Sequence, residues 1–203
     1  MTTQILEILT LGVIAGAIPG PILTAVFTEI LNSGLKKGTK IILRALVAES
    51  TFALIAILTI FAFNIPKIYF HILSIIGAVF LTWIATEIWN IKKIGDKKGE
   101  IFPFSKIFIL TILNGAFWIF WLTVYIPKAF ALSEKITGGQ FIFLIVFELG
   151  WLLMTSLLAL IFSKFRPLLL KKNIISSVFK FFAILLIFFA LKSVYTSINF
   201  LIN

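Results

Sequence analysis

Six stretches of this chain stay apolar for about twenty residues or more. They are about 5–31, 41–63, 68–90, 106–126, 139–163 and 174–201. A bilayer core takes about 20 apolar helical residues to cross. In hydrocarbon only helices or closed barrels satisfy their own backbone. The runs are continuous and lack the alternation of barrel strands, so they predict helices. Of all residues 61% are hydrophobic and 13% charged, against about 45–50% and 25% in a soluble domain. Such a chain cannot wet the surface of a globule, and it is too apolar for disorder. The predicted fold is an all-α integral membrane protein of six transmembrane helices in a single domain, 1–203. No Lys or Arg precedes the first apolar run, so that run is expected to be a retained span, not a cleaved signal.

The connections are short, and their charge is one-sided. The first, third and fifth carry Lys36, Lys37 and Lys40, then Lys92, Lys93, Lys97, Lys98 and Lys106, then Lys164, Arg166, Lys171 and Lys172. The opposite side carries Lys67, Lys128 and Lys135. The positive-inside rule puts the basic side in the cytoplasm and both termini outside. The net charge of +10 is thereby a topology and headgroup signal. It lies in short loops between apolar runs, unlike the basic face of a nucleic-acid binder.

Several chemistries are excluded. Cysteine is absent and His71 is the only histidine, which removes disulfides, thiolate metal sites and His clusters. No P-loop glycine pattern occurs, and no nucleophile–base set marks an enzyme. No cofactor and no resident metal are expected.

The longest connection, about 91–105, divides the chain into half one, about 5–90, and half two, about 106–203. Each half has three spans. If related, they form two inverted three-helix halves, an architecture of secondary transporters. Two unusual features recur at corresponding places. The first helix of half one is interrupted by Pro19-Gly20-Pro21, whose prolines remove backbone donors. The first helix of half two holds Asn114-Gly115 in an apolar setting. Broken helices expose dipole-bearing backbone groups and point to a transport site. The second feature is a carboxylate in each second helix. Glu49 and Glu148 sit about nine residues in from opposite sides, roughly 13 Å deep. A carboxylate there faces a cavity, pairs, or carries protons. Arg44 and Lys192 are the ion-pair or coupling candidates.

Other polar residues read more plainly. Glu29 and Glu87 fall near helix ends beside Lys36 and Lys92 and are expected at the interface, as is His71. Lys180 is expected to snorkel. Trp118 and Trp121 follow Asn114 by one and two turns, so one of them could line a site. Gly12, Gly16 and Gly20 form a small-residue face for close helix approach, within the chain or in a homodimer.

On these residues the chain resembles the LysE/RhtB superfamily of six-helix amino-acid exporters. Gly16-Ala17-Ile18-Pro19-Gly20-Pro21 looks like the family's PGP signature. Gly34-Leu35-Lys36-Lys37-Gly38 is similar to its G-x3-G first loop, and Glu49 falls where many members are acidic. Gly77-Ala78-Val79-Phe80-Leu81 resembles its G-A-x-Y-L. Leu113-Asn114-Gly115 stands where the family has L-N-P. Arg44 and Ala48 depart from frequent glycines, which crowds the second helix and adds a buried charge. The resemblance implies a transporter of the prokaryotic plasma membrane that exports a small amino acid or related metabolite. With no nucleotide site, an ion gradient, here protons, must drive it. The transport residues would be Pro19, Gly20, Pro21, Glu49, Asn114, Gly115 and Glu148. The rival readings are a metal-ion exporter of the same superfamily, a passive channel and a non-transporting scaffold.

Overall fold

The computed structural model describes residues 2–18, 20–60, 67–90, 101–169 and 174–202. Pro19, most of the connection between the halves, and Lys171 and Lys172 lie outside the described residues. The described chain is helical almost throughout. Its elements are α1 (Thr2–Ala17), α2 (Pro21–Ser33), α3 (Leu35–Ile60), α4 (Lys67–Trp89), α5 (Phe104–Ile112), α6 (Gly115–Phe120), α7 (Ile126–Ser133), α8 (Gly139–Leu169) and α9 (Ile174–Ile202), with a π turn over Trp121–Tyr125 between α6 and α7.

Among the described residues three unbroken helices are long and apolar enough to cross a bilayer: Leu35–Thr59, Gly139–Leu169 and Ser176–Ile202. The pair α1 and α2, bent by 59° at its break, is apolar enough to make a fourth if the two helices form one broken span. The run α5 to α7 is interrupted twice, and α4 contributes the shorter apolar stretch Ile75–Trp89.

Sequence patterning explains which faces pack. On α3 the small residues Ala45, Ala48, Ala53 and Ala56 are buried, while Leu43, Val47, Leu54 and Leu58 are exposed. On α8 Ile145, Leu149, Leu153 and Leu160 are likewise exposed. Lipid solvates such apolar faces as well as a partner helix would. Association therefore depends on van der Waals fit, which favours small residues at contacts. Ala48, expected to crowd its helix, is fully buried.

The closest fit is between α1 and α8. A Cβ on Gly12 would collide with the Phe147 carbonyl, and one on Gly150 with the Leu9 carbonyl. A Cβ on Gly16 would come within 2.7 Å of the Trp151 carbonyl oxygen. The glycine face is therefore an internal contact. Gly20 does not belong to it: it lies past the end of α1, in extended backbone at φ −148°, ψ −177°.

The α2–α3 turn explains the second glycine pair. Gly34 takes φ +89°, a left-handed value that favours glycine, and its N–H closes α2 on the Ile30 carbonyl at 2.8 Å. A Cβ on Gly38 would run into the Ile30 side chain.

At the end of the bundle rich in basic residues, Ile101 and Phe102 are buried under α2 and α3. The Ile101 N–H donates to Glu29 Oε2 at 3.2 Å, and Arg44 Nη1 donates to the Phe102 carbonyl at 2.8 Å. Arg166 Nε donates to the Leu31 carbonyl at 3.2 Å, near the end of α2. Glu29 is thus buried within the bundle, because the chain before α5 folds over it. Glu87 binds Lys106 Nζ at 2.7 Å. His71 is also buried, stacked on Phe200 at 4.0 Å with Nδ1 3.3 Å from Ser197 Oγ. Lys180 lies over the Trp89 ring at 5.3 Å.

Gly12 and Gly20 should respond differently to one methyl group. Gly12→Ala should cost about 1–3 kcal/mol through overpacking. Gly20→Ala should change stability by under about 0.5 kcal/mol, because the nearest atom to its Cβ would be the Ile18 oxygen at 3.9 Å. Thermal unfolding of both variants in one detergent checks the contrast.

Candidate functional site: a cavity between two broken helices

Both helix breaks open onto one cavity of about 280 Å³. At the first, α1 ends at Ala17 and α2 restarts with Gly20 as its N-cap and Pro21 in its first turn. Proline is tolerated there because its missing N–H would have had no helical partner. The Gly20 carbonyl accepts from both Thr24 N and Thr24 Oγ1, each at 2.9 Å.

The second break is built differently. Helix α5 ends at Ile112, and Asn114 leaves helical geometry at φ −80°, ψ 91°. Its side chain accepts from the Phe117 N–H at 3.3 Å and so caps α6. The Trp118 indole donates to the Ile112 carbonyl at 2.8 Å. One tryptophan and one asparagine thus meet backbone groups that the break frees. Gly115 opens α6, so no proline is needed to begin the new helix. On the far side, a Cβ on Gly77 would collide with the Leu113 carbonyl. That approach of α4 to the break explains the glycine of the Gly77–Leu81 motif.

A third irregularity follows one turn later. Pro127 cannot donate to the carbonyl four residues before it. The helix widens into the π turn, and the Ile126 N–H reaches the Trp121 carbonyl, five residues back. Trp121 and Tyr125, at the two ends of this turn, both line the cavity. With Phe117 they form an aromatic stripe at spacings of four. That spacing was visible in the sequence, although Tyr125 was not singled out there. Trp118, the other tryptophan considered, faces the Ile112 carbonyl.

Of the residues predicted for the site, Gly20, Pro21, Glu49, Asn114 and Lys192 line the cavity. Pro19 lies outside the described residues. Glu49 sits mid-way along α3, which begins six residues before the predicted span. Glu148 is 6% exposed and stands behind the wall, with Glu49 and Ser50 as its polar neighbours across the α3–α8 contact. Among the described residues neither of its carboxylate oxygens makes a well-formed hydrogen bond. Tyr125 is near enough to Glu49 to sense its charge. Arg44 is bonded to the Phe102 carbonyl, at the basic end.

Thr155 on α8 lines the same cavity, and no sequence pattern distinguished it from other helical threonines. The remaining wall is largely aromatic and aliphatic, including Phe80, Phe147 and Trp151. Among the described residues no group of three or more His, Cys, Asp or Glu could hold a metal ion.

The second break should depend measurably on its two side-chain partners. Asn114→Ala should cost about 1 kcal/mol for the lost cap. Trp118→Phe should cost about 1–3 kcal/mol, because it leaves the Ile112 carbonyl without its indole donor. Unfolding midpoints of the single variants against the parent in detergent test both.

Comparison with known families agrees with this architecture. The family model described as LysE type translocator matches residues 13–197. The chain belongs to that family and is a multi-pass membrane protein of a transporter class. No curated protein and no solved structure matches it.

Proposed function

We propose that this LysE-type translocator is a proton-coupled secondary exporter of a small amino acid or related metabolite. The observation that carries the reading is the meeting of two broken helices and Glu49 at one cavity. The volume and largely apolar wall suit a small organic molecule with few polar groups. In this reading the six apolar stretches are six spans, the basic end faces the cytoplasm, and both termini are outside.

Contacts between elements support two inverted halves. The packing of α1 on α8 has its counterpart in α5 on α3, and that of α2 on α3 in α7 on α8. Similarly α2 meets α9 as α6 meets α4, while α3 with α8 and α4 with α9 map onto themselves. Rocking of one half against the other would expose the cavity alternately to the two sides.

Glu49 is the coupling residue. It faces the cavity, with Glu148 as a second carboxylate behind it. Two carboxylates near each other in a low-dielectric interior repel. A substrate ammonium group relieves that repulsion in one state, and a proton does so in the other. Because both compete for Glu49, outward movement of substrate is exchanged for inward movement of protons. Lys192, which also lines the cavity, supplies a countercharge.

Two outcomes follow for protein reconstituted in liposomes. A screen of amino acids under an imposed pH gradient should identify the substrate. Glu49→Gln should reduce its proton-driven transport by at least tenfold, and full coupled transport by that variant would refute the role. In the parent protein, substrate affinity should fall as pH is lowered, since protons then occupy the carboxylate. A pH-independent affinity would separate Glu49 from the coupling step.

A further inference from the structure

The two broken ends are not equivalent toward an anion. The Asn114 side chain already occupies the α6 amides, and α6 is only six residues long. By contrast α2 runs for 13 residues, and no side chain caps it. Its first residue, Pro21, has no N–H, and the Thr24 N–H is bonded to Gly20. That leaves the N–H of Ile22, which among the described residues meets no acceptor. Ile22 lines the cavity. A helix N-terminus carries partial positive charge, which favours a carboxylate.

A second observation points to the same place. Seven helical threonines satisfy their hydroxyls on the carbonyl four residues back. Thr10, Thr24, Thr39, Thr51, Thr59, Thr82 and Thr111 all do so, at 2.6–3.1 Å. Thr155 does not. It is 1% exposed, and its Oγ1 has no hydrogen-bond partner among the described residues. Buried hydroxyls are ordinarily paired. Thr28 is also buried without a partner, but it lies deeper in α2 and outside the cavity wall. Thr155 lines the wall, against the last turn of α1 that leads into the break. A Cβ on Gly16 would stand 3.1 Å from its Oγ1.

We infer that the Ile22 amide, at the start of α2, and the Thr155 hydroxyl form a subsite for the substrate's carboxylate. The subsite rests on the transport reading above and deepens it. Glu49 then marks the cationic-group end of the ligand and the start of α2 its anionic end. The transported class is α-amino acids with a free carboxylate, and amines or amino-acid amides are excluded. Asn114 shapes the cavity without holding the anion. Thr155 is a binding residue on this assignment, since its hydroxyl donates to the ligand.

The test measures affinities of the purified full chain in detergent, by titration calorimetry. The probes are the twenty common L-amino acids and the α-amide of each one that binds. The parent should bind at least one amino acid and bind its amide at least tenfold more weakly. Thr155→Val, which keeps the side-chain volume, should weaken the amino acid by about tenfold to a hundredfold, the worth of a hydrogen bond to a charged group. It should leave the weak amide affinity unchanged, and Thr155→Ser should restore amino-acid binding. Equal weakening of acid and amide by Thr155→Val would overturn the subsite. So would loss of the acid–amide preference in Lys192→Met with its retention in Thr155→Val, which would assign the carboxylate to Lys192. If amino acid and amide bind the parent equally, the subsite fails and the transport reading stands. If no amino acid binds, the substrate class in both fails.

Discussion

A helix that breaks inside a membrane frees backbone donors and acceptors where no lipid can meet them. Each unmet group costs several kcal/mol. Most of what is unusual in this protein answers that constraint. At the second break the answer is internal: Asn114 takes the Phe117 N–H, and Trp118 gives its indole proton to the Ile112 carbonyl. At the first break the answer is partial. Proline removes one donor by chemistry, and Gly20 accepts twice from Thr24. Ile22, which lines the cavity, keeps an N–H that meets no acceptor among the described residues. An incomplete answer at one break is what allows a ligand to complete it.

The breaks have to be brought together, and small residues do this. Gly12, Gly16 and Gly150 let α1 lie on α8 with backbone against backbone. Gly77 lets α4 reach the Leu113 carbonyl. Without hydrophobic driving force in lipid, such fit is the main source of helix association. The packing of α3 on α8 sets Glu49 in the cavity wall with Glu148 beside it. The glycine contacts also carry the broken ends to one place from positions about ninety residues apart in the chain.

The buried strap at the basic end shows how far local charge patterns can mislead. Glu29 follows an apolar helix and precedes Lys36 and Lys37, so its sequence setting is that of an interface. Its depth is decided by Ile101 and Phe102, some seventy residues away, which fold over it and donate an N–H to it. Arg44 reads as a partner for Glu49 five residues on, yet it reaches the Phe102 carbonyl. His71 follows the same pattern, buried by Ser197 and Phe200 of α9.

Apolar runs, prolines and glycines are local signals with local physical consequences. The sequence alone therefore determined a helical membrane protein, the position of both breaks, and the carboxylates to watch. It also supplied the family resemblance that the family match bears out. What it could not determine was which side chains meet, because that depends on helix rotation and approach over long separations. Thr155 is identical in type to threonines that bond their own helix. Only the packing of α8 against the end of α1 sets it beside the cavity with its hydroxyl free. The two breaks likewise look similar as strings, Pro19-Gly20-Pro21 and Leu113-Asn114-Gly115. The tertiary structure separates them, since one is capped by its own side chains and the other is left open.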